Sequence, residues 1–276
     1  MYNSVNTNYG AMVALQNLNK TNMQLQTTQN RINTGLNIAS AKDNGGIYAI
    51  AQRMRSEVSG YGVVQDSLNR GISTVDVTLA AGEAISDLLI EMKEKALAAG
   101  DTSLDPASRT ALNEDFKALR DQIATIVENA EFNGLNLIDG SATDGFIALA
   151  NATGSKTITV GTENLSLSGA IVTLSSTASF GTASAASAIA SQIGTSLDLV
   201  NGALARLGTK SKALEIHQVF VTKLSDALES GIGNLVDADM AKESARLQSL
   251  QVKQQLGIQA LSIANAAPQS VLGFFR

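Results

Sequence analysis

Two segments at opposite ends of the chain repeat apolar residues at alternating spacings of three and four, which is the pattern of a helical packing seam. The N-terminal seam passes through Leu15, Leu18, Asn22, Leu25, Gln29, Ile32, Leu36 and Ala39. The C-terminal seam passes through Val236, Met240, Glu243, Leu247, Leu250, Gln254, Gly257, Leu261 and Ala264. These repeats predict a long helix at each end, and the two helices either pair as an ordinary intramolecular hairpin or join in a coiled coil.

Each predicted terminal helix also has apolar residues far from its seam. Each residue turns an α-helix by about 100°, and this places several apolar residues on the side away from the seam. They are Val5, Met12 and Met23 on the first helix and Val252, Leu256 and Ile263 on the second. A helix in a two-helix hairpin buries one stripe, so a second apolar stripe needs another surface. We therefore predict that both helices contact further copies of the chain.

Charged side chains are scarce in the same two segments. Residues 1–40 contain only Lys20 and Arg31, and residues 247–276 contain only Lys253 and Arg276. Segments with few charges repel each other little when many copies stack closely. This composition favours polymerisation.

The composition of the whole chain argues against several other functions. A net charge of −5 is unsuited to nucleic acid or an anionic membrane as the main partner, and no apolar run approaches the roughly 18 residues of a membrane-spanning helix. Because there is no cysteine and His217 is the only histidine, thiolate metal sites, thiol nucleophiles and His-rich metal sites are excluded. We predict a protein partner, no nucleic acid, no membrane insertion, no cofactor and no enzymatic activity.

Two aspartate-containing sequences predict helix starts. Asp105 precedes Pro106, and aspartate is a preferred cap while proline suits the first helical position. Asp237 and Asp239 either bind a cation or cap the final helix. Two carboxylates do not fill the roughly six to eight oxygen positions around calcium. We therefore predict a cap at this point.

The middle of the chain has a different composition. Residues 141–187 hold 17 Ser or Thr in 47 positions, and within this region residues 157–160 and 170–174 have β-forming sequences. These two stretches predict a small hairpin, with a polar linker as the alternative. The fold class is therefore mainly α: a long antiparallel helical bundle or coiled coil from both termini, with a small β-hairpin insertion in the middle.

The predicted domain organisation follows the same pattern. Residues 1–40 and 236–276 are expected to be the terminal helices. Residues 41–140 and 188–235 are expected to form a second helical domain, and residues 141–187 are the Ser/Thr-rich insertion. Helices from both ends then enclose the insertion.

Several short sequences resemble the bacterial flagellin family at positions spread over most of the chain. They are Asn-Thr-Asn at 6–8, Arg-Ile-Asn-Thr-Gly-Leu at 31–36, Ala-Lys-Asp at 41–43, Phe-Asn-Gly-Leu-Asn-Leu-Ile-Asp-Gly at 132–140, Asp-Ala-Asp-Met-Ala-Lys-Glu at 237–243, Leu-Ser-Ile-Ala-Asn at 261–265 and Pro-Gln-Ser-Val-Leu at 268–272. The resemblance implies a structural subunit that polymerises into the flagellar filament for swimming motility. The terminal helices would form the inner filament tube around a channel, and the variable region at 141–187 would face solvent.

The resemblance also implies a route and a set of partners. The subunit would leave the cell unfolded through the flagellar type III apparatus and assemble at the distal tip, so that it is secreted into the extracellular filament. Its partners would be many copies of itself, an export chaperone, the filament cap and the hook-filament junction proteins, with other flagellins as a further candidate. The alternative function is that of a hook-filament junction protein, which resembles flagellin at both termini but forms a short ring.

Three groups of residues are predicted to carry these contacts. The terminal helix and inter-subunit packing group is Leu15, Leu18, Leu25, Ile32, Leu36, Leu247, Leu250, Leu256, Leu261 and Ile263. Gln248, Gln255 and Gln259 lie opposite the C-terminal seam and are expected to face the channel as neutral amides. The resemblance implies a chaperone on the C-terminal segment, where the apolar residues are Val271, Leu272, Phe274 and Phe275.

Overall fold

The computed structural model describes residues 7–272, with side chains as far as residue 266. The described residues form five helices: α1 (Tyr9–Thr34), α2 (Gly45–Ala99), α3 (Pro106–Asn129), α4 (Ala183–Val236) and α5 (Met240–Leu272). Four short strands lie between α3 and α4: β1 (Glu131–Phe132), β2 (Leu135–Asn136), β3 (Phe146–Leu149) and β4 (Thr157–Val160). No helix within residues 7–272 is both long and apolar enough to cross a bilayer. The predicted mainly α fold with a small antiparallel insertion is confirmed.

Both predicted helix starts are confirmed by hydrogen bonds at the caps. The Oδ1 atom of Asp105 accepts a hydrogen bond from the N–H of Ala107 at 2.8 Å, and Pro106 is the first residue of α3. The Oδ1 atom of Asp239 accepts from the N–H of Lys242 at 3.0 Å at the start of α5. Each carboxylate thereby satisfies a backbone donor that the first turn of a helix leaves free.

The hairpin of the insertion has a different partner strand from the predicted one. β4 is one of the two predicted strands, but it pairs antiparallel with β3 in the register Phe146↔Val160. Residues 170–174 are not a strand. The N–H of Thr173 donates to Ser196 Oγ at 3.1 Å, and its carbonyl accepts from Gln192 Nε2 at 2.8 Å. At Thr173, side chains of α4 thus take the place of the backbone partners that a neighbouring strand would supply.

Contacts divide the chain into two compact units, which we call the terminal unit (residues 1–56 and 227–276) and the central unit (residues 57–226). These boundaries differ from those proposed from sequence, which remain predictions. The central unit contains two apolar clusters of fully buried side chains. One cluster is built around Phe116 and Phe180, whose ring centroids are 5.1 Å apart, and the other around Leu68 and Leu214. The central unit therefore has a core of its own.

Candidate self-association site on the terminal helices

α1 and α5 pair antiparallel within the terminal unit. Asn8 Nδ2 donates to the carbonyl of Ala264 at 2.6 Å, and Gln254 Nε2 donates to Asn22 Oδ1 at 2.8 Å. Beyond the end of α1, Leu36 forms an antiparallel bridge with Asp237. As residue numbers rise along α1, the numbers of their partners fall along α5. The helices α1 and α5, which are far apart in the sequence, are thus neighbours in one molecule.

The face of α5 that meets α1 is the predicted C-terminal seam. Its buried and half-buried residues are Glu243, Leu247, Leu250, Gln254, Gly257, Leu261 and Ala264. At Gly257 a Cβ atom would lie 3.3 Å from Leu18 Cδ1, so the missing side chain gives Leu18 its place. The predicted seam also includes two earlier residues. Val236, at the end of α4, is buried, whereas Met240, the first residue of α5, is exposed.

Within the single chain, only some positions of the N-terminal seam are shielded from solvent. Leu18, Leu25 and Ile32 are half-buried, but Leu15, Asn22 and Gln29 are exposed. Ala11, Ala14, Thr21 and Thr28, which are not seam positions, are buried or half-buried as well, and the exposed Asn22 still accepts a hydrogen bond from Gln254 of α5. Small side chains at a helical contact let the axes approach closely, which is why Ala14 is used and the larger Leu15 next to it is not.

One ion pair lies in this interface. Arg31 Nη1 is 3.1 Å from Glu243 Oε1, and the side chain of Glu243 is only 8% exposed. Arg31 is 27% exposed. The other carboxylate oxygen, Oε2, is buried without a hydrogen-bond partner among the described residues. Arg246, one turn along α5, brings Nη1 only to 4.0 Å from Glu243. The seam therefore contains a buried carboxylate that depends mainly on the opposite helix.

The second apolar stripe is exposed on both helices. Met12, Met23, Val252, Leu256 and Ile263 all face away from the seam, with 58% of Leu256 and 72% of Ile263 exposed. Val5, the remaining member, lies outside the described residues. Across α1 and the described side chains of α5, only Thr28, Glu243 and Leu250 are buried. An exposed apolar stripe of this kind is a candidate interaction site.

The turn after α1 is held by Asp43, whose importance sequence reasoning missed. Its Oδ2 atom accepts from the N–H groups of Ser40 at 2.9 Å and Ala39 at 3.1 Å. The N–H of Ser40 is the main cause of a lowered pKa for Asp43, with its hydroxyl contributing further. Next to it, Asn44 Oδ1 accepts from the N–H of Ile47 and caps α2. A charged Asp43 fixes the exit of the chain from α1.

The predicted channel residues lie on the solvent side of α5. Gln248, Gln255 and Gln259 are all exposed. The side chains of Val271 and Leu272 are outside the described set, and Phe274 and Phe275 lie wholly outside the described residues. The roles assigned to these two groups remain predictions.

Sequence reasoning also missed an exposed apolar stripe in the central unit. Ile216, Val219 and Phe220 project from α4 between the buried residues Leu214 and Val221. Their helical spacing was the available indication, because they fall outside the buried stripe.

Within the described residues, no group of three or more acidic, His or Cys side chains is arranged to hold a metal ion.

Comparisons with known proteins agree with this geometry. The family model for the bacterial flagellin N-terminal helical region matches residues 5–143, and that for the C-terminal helical region matches residues 190–275. Flagellin FljK of Caulobacter vibrioides is 56% identical over 274 residues, covering 99% of each chain. A flagellin of Brucella melitensis is 38% identical over 285 residues, again covering 99% of each chain.

Two solved structures share the fold at low sequence identity. Bacillus cereus flagellin has a TM-score of 0.50 at 20% identity, over 56% of this chain and 87% of that one. A putative flagellar hook-associated protein from Vibrio parahaemolyticus has a TM-score of 0.58 at 15% identity, over 71% of this chain and all of that one.

Proposed function

This chain belongs to the bacterial flagellin family, and we propose from that premise that α1 and α5 provide the packing between neighbouring subunits. Flagellin is the structural subunit of the extracellular flagellar filament, so the protein is a self-polymerising filament subunit for motility and not an enzyme. The alternative of a hook-filament junction protein is not favoured, because the full-length relatives are named flagellins.

The observation that carries the proposal is the apolar stripe left exposed on both terminal helices. Ile263 and Leu256 on α5, and Met12 and Met23 on α1, contact no core in the single chain. Burying such side chains yields roughly 1.5–3 kcal/mol each. Neighbouring subunits supply the surface that the single chain lacks, and the low charge of both ends removes repulsion as they approach.

The same shortage of burial suits a subunit that travels before it assembles. A helix pair with so few buried side chains has little to offset the entropy of ordering, because most helical stability in proteins comes from packing. The free subunit therefore holds α1 and α5 loosely, passes unfolded through the flagellar type III apparatus, and folds its ends beneath a filament cap at the distal tip.

Two further roles belong to α5 and the residues that follow it. The exposed amides of Gln248, Gln255 and Gln259 line the channel, where neutral side chains neither trap nor repel a passing chain. Changing Gln255 and Gln259 to Leu is expected to slow filament elongation, measured by fluorescence microscopy of growing filaments. Elongation at the parent rate would reject the channel assignment.

An export chaperone is proposed to cover Val271, Leu272, Phe274 and Phe275 before export. The proposal rests on the apolar character of these residues and on the need to avoid premature polymerisation before export. Replacing Phe274 and Phe275 with Ser should abolish co-purification of a chaperone with the cytoplasmic subunit.

The central proposal is tested with the double variant Leu256→Gln and Ile263→Gln. Glutamine preserves helix propensity, so the change removes apolar contact and little else. The purified subunit should retain the parent unfolding transition but fail to elongate filament seeds. Elongation at the parent rate would overturn the proposal.

Ile147→Gln is the matched control. Ile147 lies on β3 in the variable region and is 52% exposed, so the same kind of side chain is removed outside the terminal unit. Filaments of this variant should grow at the parent rate. If Ile147→Gln stops growth as well, loss of any exposed apolar group would be sufficient and the terminal helices would not be special.

A further inference from the structure

We propose that the Arg31–Glu243 ion pair sets the register in which α1 and α5 pair. The inference rests on the proposed packing role of these helices and adds a specificity-determining contact within them. The two atoms are 3.1 Å apart across the interface, and Glu243 occupies a seam position that is otherwise used by Leu250, Gly257 and Ala264. A single polar residue in such a seam selects one register at a cost in stability.

The apolar part of the seam gives little register information by itself. Leu18, Leu25 and Ile32 repeat every seven residues on α1. A slide of seven residues, about 10 Å along the axis, would carry each of them to the place of the next. Leu18 would then leave Gly257 and meet the level of Leu250 or Ala264, which still offers it an apolar contact. A slipped pairing therefore loses the place that Gly257 leaves for Leu18 and the Asn22–Gln254 hydrogen bond, but it keeps apolar contact along the seam.

The charges of Glu243 and of the two cations on α1 oppose these slipped pairings. A slide of one repeat would put Glu243 opposite Gln24 or Ile38, and neither is a cation. The other cation of α1, Lys20, lies eleven positions from Arg31 and is out of reach of such a slide. A buried carboxylate without its cation is strongly unfavourable.

The position of Glu243 makes it especially dependent on the opposite helix. Its Oε2 atom already lacks a hydrogen-bond partner among the described residues, so Arg31 carries most of the compensation. Arg246 moves together with Glu243 on α5 and therefore favours no register over another.

The register matters because it aligns the exposed stripes. The contacts Leu18–Gly257 and Asn22–Gln254 define which positions of α1 and α5 lie at the same axial level. By the same spacing, Met12 lies at the level of Ile263, and Met23 at the level of Val252. A slip would offset the apolar groups of one helix from those of the other by about 10 Å. A filament of identical subunits needs this surface to be the same in every copy.

Cysteine crosslinking can measure the register directly, since the native chain has no cysteine. Asn22→Cys with Gln254→Cys reports the observed register, and Asn22→Cys with Leu247→Cys reports a slip of one repeat. Each pair is placed in the full chain, polymerised on seeds and oxidised, and crosslinks that preserve monomer mass are counted as intramolecular. The parent should crosslink almost only through the first pair.

Arg31→Glu is expected to reduce the first crosslink at least fivefold and to make the slipped crosslink prominent. The charge swap Arg31→Glu with Glu243→Arg should restore the parent pattern. Lys20→Glu is the matched control: it makes the same change of charge on the same helix at an exposed position, and it should leave both yields unchanged.

Unchanged crosslinks in Arg31→Glu would overturn the inference. Loss of the first crosslink with no slipped crosslink would also overturn it, because the Arg31–Glu243 ion pair would then hold the helices together without choosing their register. Failure of the packing proposal is read separately. In that case the Leu256→Gln and Ile263→Gln variant elongates normally, whatever the crosslinks report. If Arg31→Glu does not polymerise alone, its cysteine-bearing subunits are copolymerised on seeds with an excess of cysteine-free parent subunits, and the slipped product is expected in those filaments.

Discussion

The central unit and the terminal unit use the same helical periodicity to different ends. In the central unit α2, α3 and α4 each bury a main apolar stripe, as at Leu89, Phe116 and Val200, although a second stripe on α4 stays exposed. In the terminal unit, the described side chains of α1 and α5 leave Met23 and Ile263 largely exposed. The central unit has a buried core within the single chain, whereas the terminal unit buries few of its described side chains, and we propose that neighbours supply the rest of its packing. A filament subunit built in this way combines a stable central unit with terminal helices that are free to associate.

The largest expected contrast comes from deleting a buried side chain in each unit. Phe116→Ala removes a ring packed 5.1 Å from Phe180 and should destabilise the central unit by about 3–5 kcal/mol. Leu250→Ala in α5 should change the unfolding transition of the free subunit by less than about 0.5 kcal/mol, yet weaken filament growth. Urea unfolding of the free subunit measures the stability change of each variant, and elongation of filament seeds measures growth. Equal destabilisation by the two changes would break the contrast.

A smaller contrast is expected at two glycines that lie against another segment. At Gly60 a Cβ atom would come within 2.8 Å of Ala152 Cβ and 3.0 Å of its carbonyl oxygen, so Gly60→Ala should cost about 1–3 kcal/mol by overpacking. At Gly257 the nearest atom is the movable end of Leu18 at 3.3 Å. Gly257→Ala should leave the unfolding transition of the free subunit unchanged, as differential scanning calorimetry would record. A lowered transition for Gly257→Ala would show that α5 is already tightly packed.

The smallest expected contrast is between the two aspartate caps. Asp105 in the central unit has a lowered pKa, caused first by the Ser108 hydroxyl and then by the Ser108 N–H. Because the folded-state pKa lies below the ordinary 3.8, the carboxylate adds stability above that pH, and this stability is lost as the pH falls through the folded-state pKa. Asp105→Ala should lower the stability of the free subunit at neutral pH and flatten its acid dependence below pH 3.8.

Asp239→Ala is the counterpart in the terminal unit. It removes the cap of α5 but should leave the neutral-pH unfolding transition of the free subunit as it is, because α5 contributes little there. Urea titrations at neutral pH and below pH 3.8 compare the two variants. An effect of Asp239→Ala as large as that of Asp105→Ala would count against a loosely held α5.

The sequence predicted features that depend on local chemistry. The cap at Asp105 follows from a side chain and the two N–H groups just after it, and the α5 seam is visible because Leu247, Leu250 and Leu261 are large and regularly spaced. The exposed stripe through Met12 and Ile263 follows from the same geometry, since a helix cannot bury two opposite faces against one partner.

Features that depend on a distant partner were not predictable in the same way. The choice of Ala14 over Leu15 in the seam is decided by how closely α5 approaches, which the apolar pattern of α1 does not record. Residues 170–174 form no strand although their sequence favours one, and the backbone of Thr173 is bound by Ser196 and Gln192 of α4, which are distant in sequence. The Arg31–Glu243 pair joins residues at opposite ends of the chain, so only the antiparallel pairing reveals it.

The central claim is that α1 and α5 are stably packed only among neighbours, and amide hydrogen exchange measures this most directly. In the free subunit, amides of Tyr9–Thr34 and of the N-terminal part of α5 should exchange at close to unprotected rates, while those around Phe116 and Leu89 are protected. In filaments both regions should be protected. Protection of α1 and α5 in the free subunit equal to that of the central unit would contradict the account.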